Sequence, residues 1–166
     1  MGMAACGKSA VGRGLAAYLG WAHLDTDHLI EATYAVYLQR ITDSLSRENF
    51  LALEDETVRT LRLRRTVIST GGSVVYSPDA MRHLTTLGPI VHLEVPLPVI
   101  LERIARKPNR GLVIAPDQTV EDLFAERAAL YRQWRTHVLE IDGQGRAVDV
   151  AEAVAALLDL RPEERT

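Results

Sequence analysis

Residues 2–9 read Gly2-Met3-Ala4-Ala5-Cys6-Gly7-Lys8-Ser9. They fill every fixed position of G-x-x-x-x-G-K-[ST], the phosphate-binding loop. The N–H groups of such a loop point inward and form an anion nest. The helix that follows adds the positive end of its dipole. Lys8 is placed to reach the β- and γ-phosphates, and Ser9 to ligate Mg²⁺. The pattern points to ATP or GTP. A chance Gly/Lys/Ser cluster is the competing reading, and the direct opening into an apolar helix counts against it. Two more polar groups follow apolar runs: Asp25-Thr26-Asp27 after 21–24, and Gly71-Gly72 after the β-rich run 66–70.

These groups need elements to hold them. Apolar and small residues recur at helical spacing over 8–19, and Gly20 closes that helix. Residues 21–24 form a short strand, and Asp27 opens a helix to about Tyr34. Thr42 or Asp43 caps a helical stretch that runs over 48–64. Ser77-Pro78 is an N-cap followed by proline at the first helical position. Strands are expected at 66–70, 89–95 and 138–141, and helices at 78 onward, 96–106, 120–137 and 148–158. Residues 107–118 carry basic residues, prolines and a glycine, and read as a loop. Residues 159–166 read as a polar tail after a single domain spanning 1–158. Alternating strands and helices imply an α/β fold with a mostly parallel sheet flanked by helices. Ligands in such sheets bind beyond the strand C-termini. The phosphate loop, the two aspartates and the Gly-Gly turn all fall there.

The phosphate loop normally follows a buried strand. Here the motif begins at Gly2, so the expectation is that the first, central strand is missing from this chain and lies upstream of Met1.

A chain of 166 residues with 47% apolar content suits one domain with a real core. The net charge of −3 argues against bulk attraction to nucleic acid or acidic membranes. The basic run Arg59, Arg62, Arg64, Arg65 has no interleaved aromatics and reads as a solvated face. No apolar run approaches the length of a membrane span. One cysteine, Cys6, excludes an intramolecular disulfide and fits a reducing, cytoplasmic compartment. Cys6 is either a small residue packed under the loop or a thiol activated by the helix N-terminus and Lys8.

With Leu24-Asp25-Thr26-Asp27, Thr70-Gly71-Gly72 and Arg127-Ala128-Ala129-Leu130-Tyr131-Arg132 beside the phosphate loop, the chain resembles the shikimate kinase family. The resemblance runs from Gly2 to about Leu158. It implies a P-loop kinase of three layers that uses ATP and Mg²⁺, acts as a monomer and phosphorylates a hydroxyl of a small carboxylated alcohol. It implies that residues 2–9 hold the nucleotide, with Lys8 on the phosphates and Ser9 and Asp25 toward the metal. Asp27 is implied to contact the acceptor hydroxyl and serve as base. Gly71 and Gly72 let the backbone approach the acceptor, and Arg127 grips its carboxylate. Arg110 closes with a lid over the transferring phosphate, and Arg106 lies near the adenine. Each has a plainer reading: Asp27 as a helix cap, Asp25 as a strand-end acid, Arg127 as a surface partner of Glu126 or Asp122, Arg106 as a helix-end charge, and Arg110 as a solvated loop residue.

The family's pattern breaks on the acceptor side. Leu51 stands where an arginine is usual, which strips Glu54 of its expected partner. Ser73 replaces a third glycine, and Ala5 a preferred glycine of the phosphate loop. Shikimate is the expected acceptor. Arg47, one turn before Leu51, would restore the lost charge. Alternatively a free Glu54 would meet an ammonium, as in homoserine. A non-catalytic nucleotide-binding relative is a further alternative.

Overall fold

The computed structural model describes residues 1–106, 112–115 and 117–162. It contains helices α1 (Lys8–Leu19), α2 (Thr26–Tyr34), α3 (Leu38–Ser44), α4 (Arg47–Arg59), α5 (Pro78–Leu87), α6 (Leu97–Arg106), α7 (Val120–Trp134) and α8 (Ala147–Leu157). Strands β1 (Ala22–Asp25), β2 (Thr66–Ser69), β3 (Val91–Glu94) and β4 (His137–Glu140) complete it, with one 3₁₀ turn at Val74–Tyr76.

The strands form two parallel pairs. β1 lies on β2, with Ala22 opposite Thr66 and Asp25 opposite Ser69. β3 lies on β4, with Val91 opposite His137 and Glu94 opposite Glu140. β2 and β3 are not paired with each other. Met1 stands beside β3: its nitrogen donates to the Val91 carbonyl at 2.6 Å, and its carbonyl accepts from Leu93 N–H at 3.0 Å. Among the described residues a seam therefore runs between the two strand pairs.

Local chemistry explains most helix ends. Gly20, at φ 70°, closes α1. Ser77 accepts from Ala80 N–H at 3.1 Å, with Pro78 next in line, and starts α5. Thr119 and Asp122 form a reciprocal capping box on α7. Three expectations are corrected. The α4 cap is Ser46, which accepts from Asn49 N–H at 3.2 Å; Thr42 and Asp43 lie inside the separate helix α3. α2 is capped by Asp25, whose Oδ1 accepts from Asp27 N–H at 3.1 Å, so Asp27 is free of that duty. α4 ends at Arg59, the first residue of the basic run, rather than at 64.

One core joins α1 and α8 to β3 through Val11, Leu15, Leu19, Leu93 and Val154. A second lies under α5, around Val58, Met81, Leu84 and Tyr131. A third, smaller one gathers Ile30, Ile41, Phe50 and Val113. Among the described residues, no helix is long and apolar enough to cross a membrane.

Candidate active site

The phosphate loop wraps from Gly2 into α1. Gly7 adopts φ 104°, a left-handed conformation that L side chains rarely take, and precedes the first helical residue. Ala5 is also left-handed, at φ 63°. A methyl group there carries strain that glycine would not, which gives the family's glycine preference a physical cause. Lys8 Nζ donates to the carbonyls of Gly2 at 2.9 Å and Met3 at 2.8 Å. Its charge is therefore held on the loop's axis without a carboxylate partner among the described ion pairs. Cys6 is buried in the first core, its sulfur 3.9 Å from Lys8 Nζ. That burial favours the packing role over a reactive thiol.

A cleft of about 960 Å³ runs over this loop. Lys8, Ser9, Asp27, Glu54, Gly71, Gly72 and Arg127 all line it. Residues from the loop, α1, α2, α4, the turn after β2 and α7 therefore meet, although 119 positions separate Lys8 from Arg127.

Asp27 and Glu54 flank Gly71. A Cβ built on Gly71 would collide with Glu54 Oε1 and would lie 2.7 Å from Asp27 Oδ1. Glycine is required there because two carboxylates crowd the backbone. The Gly71 N–H donates to Thr26 Oγ1 at 2.9 Å, which pins the turn to the start of α2. Burial pushes Asp27 up to about 6, and Asp25 adds to the shift, while Lys8 opposes it. Burial pushes Glu54 up to about 7, and Asp27 adds to it, against the Ser73 hydrogen bond and the charges of Arg127 and Lys8.

Glu54 is not left alone by Leu51. The Ser73 hydroxyl donates to its Oε2 through a short hydrogen bond. Two departures from the family pattern thus answer each other: the lost cation leaves a carboxylate, and the serine that replaces glycine supplies it with a donor. Arg47, on the same helix, lies over the Tyr76 ring at 4.7 Å and 3.6 Å from Glu126. It does not line the cleft.

Arg127 is buried, with 2% exposure, so the surface-partner reading fails. Nη2 donates to the Val113 carbonyl at 2.8 Å, and Nε to Tyr76 Oη at 3.4 Å. Nη1 faces Gly72, 3.0 Å from where a Cβ would stand. No carboxylate pairs with it among the described ion pairs. Tyr131, one turn along α7, donates to the Gly72 carbonyl at 2.8 Å and fixes the turn from the same helix.

Asp25 is buried at 7% exposure and lies outside the cleft lining, one residue below Thr26. Ser9 lies in the lining. No cluster of three or more metal-ligating side chains occurs among the described residues. Mg²⁺ does not need one: it keeps waters and phosphate oxygens and takes one or two protein oxygens. The Ser9 hydroxyl and the Asp25 carboxylate are hard donors of that kind.

Arg110 lies outside the described residues. Arg106 is exposed, pairs with Glu102 at 2.5 Å and does not line the cleft. Its neighbour Arg103 does, and sequence reasoning missed it. Arg103 donates to the carbonyls of Ala5 at 3.2 Å and Gly143 at 2.9 Å, which ties α6 and the 142–145 loop to the phosphate loop. Spacing along α6 could not choose between two arginines three residues apart.

A family model described as shikimate kinase matches residues 4–158. A shikimate kinase of Acinetobacter baylyi is 35% identical over 161 residues, covering 95% of this chain and 89% of the relative. One from Halorhodospira halophila is 36% identical, covering 98% and 93%. Among solved structures, a shikimate kinase from Acinetobacter baumannii in complex with shikimate superimposes with TM-score 0.84 at 31% identity, covering 92% of this chain and 87% of the other. The Aquifex aeolicus enzyme gives 0.79 at 26% identity, covering 96% and 94%.

Proposed function

Because the chain belongs to the shikimate kinase family, we propose that it transfers the terminal phosphoryl group of ATP to a hydroxyl of shikimate, giving shikimate 3-phosphate. The observation that carries the acceptor side is Arg127: a buried guanidinium with one nitrogen turned to the cleft and no described carboxylate partner. A planar fork of this kind matches a substrate carboxylate. Burying such a charge unpaired is costly, so a carboxylate that enters the cleft gains both the bond and the relief.

The phosphates lie on the N–H groups of residues 4–9, and Lys8 exchanges its loop carbonyls for phosphate oxygens. Ser9 and Asp25 would hold Mg²⁺, which neutralises phosphate charge when bound. Asp27 accepts the proton of the acceptor hydroxyl. The acceptor oxygen bonds to the γ-phosphorus, the bond from that phosphorus to the bridging oxygen breaks, and ADP leaves. Little covalent chemistry is asked of the protein beyond positioning and charge. Arg110 is assigned to the transferring phosphate on the family resemblance alone.

The homoserine reading needs Glu54 free for an ammonium, and Ser73 already occupies one of its oxygens. Coupled ADP release decides the acceptor. Shikimate should give acceptor-dependent release, and homoserine and other hydroxy amino acids should not. Intact ATP binding with no release across the panel would instead mark a non-catalytic binding protein.

A further inference from the structure

Arg127 has a carboxylate beside it in the chain, Glu126, yet the two do not pair among the described ion pairs. Glu126 is held from other sides. Gln118 Nε2 donates to its Oε2 at 2.6 Å, and Arg47 Nη2 stands 3.6 Å from its Oε1. The Tyr76 hydroxyl donates to the same carboxylate. Burial works against the charge of Glu126, but the Gln118 and Tyr76 hydrogen bonds and the charges of Arg47 and Arg127 hold the group below its ordinary range. An anion therefore sits next to the buried guanidinium. The other acid whose charge reaches Arg127, Glu54, is engaged by Ser73.

Tyr76 is the spacer. The Arg47 Cζ lies 4.7 Å from its ring centroid and the Arg127 Cζ 5.3 Å. Cation–π attraction holds both guanidiniums to one ring. The Tyr76 hydroxyl accepts from Arg127 Nε at 3.4 Å, so a neutral phenol fills a position that a carboxylate would otherwise take. Arg47 Nε is buried and meets no hydrogen-bond partner among the described residues. The ring and Glu126 therefore set the place of Arg47.

We propose, on the reading of Arg127 as the carboxylate grip, that Arg47 is a positioning residue: it draws Glu126 away, so that Arg127 stays open for the carboxylate of the acceptor. Arg47, Tyr76 and Glu126 do not line the cleft, so Arg47 acts through Glu126 and not on the substrate. Without Arg47, the cation left to attract Glu126 is Arg127. A tethered carboxylate competes at high effective concentration with one that arrives from solution.

The test compares the wild type with Arg47→Gln, Glu126→Gln and the double variant. Arg47→Gln should raise KM for shikimate about tenfold, while kcat and KM for ATP stay within about twofold. The double variant should bring KM for shikimate back to within about twofold of the wild type, because the competing carboxylate is gone. An unchanged KM in Arg47→Gln overturns the proposal. So does a double variant as weak as Arg47→Gln, the result expected if Arg47 touched the acceptor or merely supported packing. A second readout needs no substrate. In ¹⁵N-labelled protein the Arg127 Nε–H signal should shift in Arg47→Gln and return toward its wild-type position in the double variant; a signal that stays put in Arg47→Gln overturns the proposal equally. If the wild type does not turn over shikimate while this signal moves and returns, the acceptor assignment falls and the role of Arg47 stands.

Discussion

Asp27 and Glu54 face each other across Gly71, and both are held above their ordinary range. For Asp27 the consequence is kinetic. In the proposed role of base it must be ionised, so kcat should fall as pH drops through about 6. Asp27→Asn should lower kcat by about 10²–10⁴-fold and remove that acid limb; an unchanged limb would assign it to another group. For Glu54 the consequence is stability. Its folded pKa of about 7 exceeds the ordinary 4.5, so the native state holds the proton longer than the unfolded chain. Stability is full below 4.5 and declines toward 7, at up to about 1.4 kcal/mol per pH unit. Glu54→Gln keeps an oxygen for Ser73 and cannot ionise, so its Tm advantage over the wild type should widen from pH 5 to pH 8. A constant gap would show that Glu54 does not titrate in this range. Ala5 makes a separate case. Ala5→Gly removes a left-handed methyl and should stabilise by roughly 1 kcal/mol in a denaturant titration.

At the scale of elements, the site depends on braces outside it. Arg103 links α6 to the phosphate loop, so Arg103→Ala should raise KM for ATP about tenfold while leaving KM for the acceptor nearly unchanged. Equal effects on both would mean that the helix, not the loop, had moved. Ser77 both caps α5 and donates to Asp55 of α4 at 2.5 Å. Ser77→Ala should therefore cost more than the usual ~1 kcal/mol of a lost cap. The α5 cap was legible in the sequence because it is written in adjacent residues, Ser77 and Pro78. The phosphate loop and the Asp-x-Asp were legible for the same reason. The donor from Ser73 to Glu54 was not, because it joins positions 19 apart through a turn whose path only the fold sets. Nor was the α2 cap, since either aspartate satisfies the same local pattern.

At the scale of the molecule, the alternation of strands and helices was enough to announce the parallel α/β class. What the sequence did not disclose was the arrangement of the strands as two pairs held apart, with α1 and α5 along the gap between them. That seam divides cooperativity as well as space. β1 and β2 share ladder hydrogen bonds, as do β3 and β4, yet no ladder runs between the pairs. Native-state hydrogen exchange in dilute denaturant should then report two opening free energies, one for the amides of residues 23–25 and 67–69 and another for those of 92–94 and 138–140. A single shared value would mean that the helices alone lock both halves into one unit. With two, the acids that follow β1 and the β3–β4 pair would belong to parts of the protein that open on separate clocks.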